Sequence, residues 1–134
     1  MPMKKSLLFF IITSFVEAAC LSGPKGTLRQ GPGVHFPELW EVMLYSPLKV
    51  LEEKDGWSKI QDSDGVEGWV SNASITKKYF CGSVKLEKSR LVNKKGYALF
   101  DQNYKVLKFE KRGVLALSQT GERIVIKRKH LWIQ

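Results

Sequence analysis

Trp57 and Trp69 are the residues best suited to binding chemistry in this chain, because residue parity fixes which face of a sheet they share. On Trp57–Gln61, Ser58 and Ile60 share one face, with Trp57, Lys59 and Gln61 opposite. On Val66–Ser71, Val66, Gly68 and Val70 share one face, with Glu67 and Trp69 opposite. Assigning Ile60, Val66 and Val70 to a core places both indoles on the other side, near one another across the Asp64-Gly65 turn. They then either form a solvent-facing aromatic surface or are covered by the rest of the chain. A second feature is cationic. Lys127-Arg128-Lys129, with Lys108, Lys111 and Arg112, offers an anion-binding surface.

Catalytic chemistry has little support. The only histidines are His35 and His130, and no Ser/His/Asp or Cys/His set has local spacing. Cys20 and Cys81 are too far apart in sequence for a zinc knuckle. Gly31-Pro32-Gly33 carries a proline and precedes no helix, so it is no phosphate loop. The expectation is a non-enzyme with no cofactor and no metal.

The elements that must position these residues are short strands. Thr27–Arg29, Leu39–Leu44, Leu48–Glu52, Trp57–Gln61 and Val66–Ser71 lie between the turn signals Gly31-Pro32-Gly33, Asp55-Gly56 and Asp64-Gly65, and Asn72 to Ile75 forms a closing turn. Five short strands with tight turns suit a small barrel. Further on, Val84–Glu87 alternates within a basic connector. Tyr97–Phe100, Tyr104–Phe109, Val114–Leu117 and Arg123–Ile126 then echo the first set weakly, before the closing Lys129-His130-Leu131-Trp132.

Charge divides the chain. Residues 20–76 carry a net −3, whereas residues 77–134 carry +11 within a total of +9. The C-terminal half is therefore the one suited to an anionic partner. At the other end, Lys4 and Lys5 precede an apolar run from Ser6 to Val16 and the small residues Ala18 and Ala19, which is the pattern of a secretory signal. The expectation is an exported protein, periplasmic or secreted. Ala18-Ala19-Cys20 also offers a lipoprotein cleavage box, although Glu17 stands where such a box carries an aliphatic residue. An unacylated Cys20 retained in the mature chain can pair with Cys81; otherwise Cys81 is a lone or buried inert thiol.

Leu28-Arg29-Gln30-Gly31-Pro32-Gly33, Trp57-Ser58-Lys59-Ile60 and Asp64-Gly65-Val66-Glu67-Gly68-Trp69-Val70 together resemble the bacterial SH3-like (SH3b) domain. The terminal Leu131-Trp132 and the weak echo resemble its paired secreted proteobacterial form, in which the second repeat diverges. This resemblance implies an all-β fold of two small SH3-like barrels in tandem after a signal peptide. The divisions are a leader at 1–19, an SH3-like domain at 20–76, a connector at 77–95 and a divergent repeat at 96–134. The second repeat departs from the pattern, with no G-P-G turn and no tryptophans at the places of Trp57 and Trp69.

The same resemblance implies a binding module that catalyses nothing. Its ligand groove would hold Phe36, Trp57 and Trp69 with Arg29 at the rim, near His35 and Trp40. Aromatic faces with a few polar groups suit a cell-wall peptide or glycan. The alternative partner is an acidic envelope protein, and the basic half also suits contact with an anionic membrane surface. Export argues against nucleic acid as the physiological partner.

Overall fold

The structure is a computed structural model that describes residues 16–84 and 103–133. The expected strand Tyr97–Phe100 and most of the expected leader lie outside the described residues. Within them the chain is all-β: two antiparallel sheets, one of seven strands and one of five, with two single 3₁₀ turns.

The first sheet contains β1 (Glu17–Leu21), β2 (Lys25–Arg29), β3 (Glu38–Met43), β4 (Pro47–Lys54), β5 (Trp57–Gln61), β6 (Glu67–Ser71) and β7 (Ile75–Thr76). Their order is β3-β2-β6-β5-β4-β1-β7. The sheet curls onto itself, because strands far apart in that order share one core. Val42 of β3 and Ala19 and Leu21 of β1 pack with Leu28, Leu48, Val50, Ile60 and Val70. Gly26 permits this closure: a Cβ there would lie 2.7 Å from Leu21 Cδ1.

Local chemistry sets the hairpins. Asp55 and Gly56 both have positive φ, 51° and 84°, which is the backbone of a two-residue turn matched to strand twist. The turn between β5 and β6 is held by Asp62, whose Oδ1 accepts from the N–H groups of Asp64 (2.9 Å) and Val66 (2.8 Å). That turn corrects one expectation. Val66 is 40% exposed, because its backbone is engaged by Asp62 and the strand begins only at Glu67. Ile60 and Val70 are buried as expected. Residues 17–19, read as the end of the leader, lie in β1 between β4 and β7.

The second sheet contains β8 (Cys81–Val84), β9 (Asn103–Glu110), β10 (Gly113–Leu117), β11 (Arg123–Ile126) and β12 (Leu131–Ile133), ordered β11-β10-β9-β8-β12. The stretch expected as connector thus supplies an interior strand. Its core gathers Val84, Tyr104, Val106, Val114, Ala116, Ile126 and Leu131. Burial, with a smaller contribution from Glu122, pushes the Tyr104 phenol up to about 12. The folded state therefore holds this proton more tightly than the unfolded chain does. Stability from this group is complete below about pH 10 and is lost as pH rises toward 12, by about 1.4 kcal/mol per unit. An alkaline series of urea melts should show that slope, and Tyr104→Phe should flatten it.

The two sheets are tied covalently and by polar contacts. A disulfide joins Cys20 of β1 to Cys81 of β8, with Cα atoms 6.0 Å apart. The turn between β3 and β4 is the main seat for the second sheet. Leu44 O accepts from Gln119 Nε2 at 3.0 Å, and Ser46 Oγ accepts from Asn103 Nδ2 at 2.9 Å. Between them Tyr45, at φ 64°, stacks edge-on against Tyr79 at 6.2 Å. Lys105 then lies over the Tyr79 ring at 4.4 Å.

Candidate functional site

The four residues expected to form a groove are not arranged as an open one. Arg29 is spent locally: Nη1 donates to the carbonyls of Val34 and Phe36, both at 3.0 Å, and Nη2 donates to Glu38 Oε1 at 3.3 Å. It orders the loop between β2 and β3. Phe36 packs into that loop, stacked on His35 at 4.4 Å, and a Cβ on Gly31 would meet its ring at 2.5 Å. This close approach is why the Arg-x-Gly-Pro-Gly turn needs a glycine there.

Trp57 and Trp69 do share a face, as parity requires, since Trp57 pairs with Ser71 and Lys59 pairs with Trp69. Trp57 is half-buried, but Trp69 keeps only 9% of its surface. One of the two indoles is thus largely covered. Trp57 also sits at the far end of β5 from the Asp62 turn, about 13 Å away along a strand at ~3.3 Å per residue.

The concave site lies elsewhere, where the sheets meet. A cleft of about 460 Å³ is bounded on the first sheet by Trp40 to Met43 of β3, by Ser46 and Pro47, and by the Asp62–Asp64 turn. Ser83 and Val84 of β8, Asn103 of β9 and Trp132 of β12 bound it on the second. Trp40 is 62% exposed although it shares the strand face of buried Val42; its indole projects beyond the core into the opening. Trp132 comes to the cleft because β12 pairs with β8, with Trp132 opposite Ser83. Lys49 Nζ lies 5.6 Å from its ring centroid.

The floor is polar and preorganised. Ser83 Oγ donates to Asn103 Oδ1, and the Asn103 amide donates onward to Ser46. Glu41, Asp62 and Asp64 give the rim a negative character, with Glu41 ion-paired to Lys25 at 3.5 Å in solvent. One exposed and one half-buried indole, a hydrogen-bonded floor and a carboxylate rim can take an extended peptide or sugar with a cationic group at one end. Sequence reasoning noticed Trp40 only in passing and Trp132 only as part of a terminal dipeptide. Their meeting depends on how the sheets dock, which no local pattern reports.

The basic residues gather at another place. Lys127 follows β11, and Arg128 and Lys129 lie in the 3₁₀ turn before β12. Lys111 and Arg112 form the turn between β9 and β10. Lys108 neighbours Phe109 on β9 and points to the opposite face.

The curled first sheet, its Asp-Gly hairpins and the ordered loop after β2 together define a small SH3-like module. Residues 25–76 match the bacterial SH3 domain family, and this segment is a bacterial SH3 domain. No curated protein matches the sequence. Similar solved structures include an NlpC/P60 family protein from Bacillus cereus ATCC 10987, 12% identical with a TM-score of 0.45, covering 88% of this chain and 56% of that one. Another is NlpC2 from Trichomonas vaginalis, 12% identical with a TM-score of 0.43, covering 89% of this chain and 48% of that one. The chain spans about half the length of these two proteins.

Proposed function

We propose that this protein is an exported, non-catalytic binding protein that takes a cell-wall peptide in the cleft between its two sheets. The observation that carries the reading is the meeting of Trp40 and Trp132 at one cleft, on the flank of a bacterial SH3 domain. The carboxylates of Glu41, Asp62 and Asp64 favour a peptide with a free amine over a neutral glycan. Export is supported by the leader-like composition of the residues ahead of β1 and by the Cys20–Cys81 disulfide, a bond that persists in oxidising compartments. The non-catalytic part is supported by the same bond, which leaves neither sulfur as a nucleophile.

Calorimetric titration with purified peptidoglycan fragments tests this directly. Trp40→Ala and Trp132→Ala should each weaken binding by about thirtyfold, the effect of removing an aromatic anchor. Trp57→Ala should change it little. A loss confined to Trp57→Ala moves the site to the face of β5 and β6. Absence of binding by the unmodified protein removes the wall-peptide reading altogether.

A further inference from the structure

At one end of the second sheet, phenyl rings and cations from three separate stretches of sequence come together. The strand register brings them there: Phe109 pairs with Val114, and Val114 pairs with Ile126. Lys127, which follows Ile126, therefore lies beside the Lys111-Arg112 turn. A Cβ on Gly113 would be 3.3 Å from Lys127 Cα. Arg128 stands over the Phe109 ring at 5.2 Å, and Phe80 meets the same ring edge-on at 6.1 Å. Neither ring is covered: Phe80 is 52% exposed and Phe109 is 50% exposed. Within residues 107–112 and 126–130, Glu110 is the single carboxylate, and Arg112 answers it at 3.4 Å.

We propose that this end of the second sheet docks on an anionic lipid bilayer. The cations select a negative surface, and each one held near the headgroups raises affinity by about fivefold at low salt. The rings decide between a bilayer and a soluble polyanion. A phosphate polymer has no apolar interior to receive exposed phenyl rings, whereas the boundary between headgroups and acyl chains does. Arg128 serves both roles, since its guanidinium rests on Phe109 while its charge faces outward. This inference stands apart from the cleft, which is lined by other residues.

The test uses the chain from Val16 onward, which contains every described strand and lacks the apolar run that would itself partition into lipid. It is sedimented at low salt with vesicles of phosphatidylcholine, or with a third of that lipid replaced by phosphatidylglycerol. Binding is expected only with phosphatidylglycerol present. Phe80→Ser/Phe109→Ser should lower it by about tenfold, and Lys127→Gln/Lys129→Gln by about 25-fold. The charge variant alters only exposed side chains, so it reports even where the ring variant folds poorly. Equal sedimentation with both vesicle types, or with neither, overturns the proposal. So does vesicle binding that survives loss of both rings and is abolished by soluble polyphosphate, which would make the patch a polyanion site.

Discussion

Cys20→Ser should lower stability by about 4 kcal/mol, the largest effect expected of a single substitution here. Cys20 and Cys81 are separated by 61 residues, and opening a loop of that size restores the corresponding entropy to the unfolded chain. The bond also spans the two sheets, joining β1 of one to β8 of the other. Without it the contacts left between the sheets, among the described residues, include the hydrogen bonds at Leu44 and Ser46 and Lys49 over the Trp132 ring. Urea unfolding should therefore shift to a lower midpoint and separate into two transitions. The unmodified protein in reductant should behave like the variant, and the variant should ignore reductant. An unchanged midpoint in both would mean that the sheets hold together without the bond.

Gly113→Ala should cost roughly 3 kcal/mol, combining backbone strain with overpacking. Gly113 has φ 147°, and a Cβ there would lie 2.5 Å from the carbonyl oxygen of Ile126. That oxygen belongs to the backbone of β11 and cannot rotate aside as a side chain can. Gly121→Ala is the matched comparison. Its φ is 88°, but nothing lies within 4 Å of the added carbon, so only the conformational cost of about 1 kcal/mol remains. Thermal melts of the two variants should rank in that order. Equal losses would show that β11 yields to the new methyl group, and that the close approach carries no cost of its own.

The parts of the fold legible in the sequence are those governed by neighbouring residues. Trp57–Gln61 has the bounds its sequence predicts because Asp55-Gly56 announces the turn before it and alternation fixes its face. Arg123–Ile126 and Val114–Leu117 are legible through their weak echo of the first set of strands. Val66 departs from alternation because a side-chain carboxylate four residues earlier, on Asp62, takes its N–H out of the ladder. Strand β1 was hidden by composition, since Ala18, Ala19 and Cys20 suit a cleavage site as well as a buried strand.

The candidate cleft was legible only in fragments. Its two indoles lie on β3 and β12, and what unites them is the docking of one sheet on the other. Arg29 shows the opposite limit. It ends β2 beside the loop that follows, and only the three acceptors around its guanidinium reveal that this loop consumes it.

The position of β1 has a consequence for the order of events as the chain is made. Glu17 pairs with Val50, and Cys20 pairs with Thr76, so the earliest described strand has no partner until much later residues have emerged. An N-terminus-first chain must keep Glu17–Leu21 unpaired until Pro47–Lys54 has emerged, and β4 can by then also pair locally with β5. Non-local pairing of this kind is slow, because loop closure precedes any reward. The rate at which this protein matures should thus be set by the return of its first strand to β4 and β7.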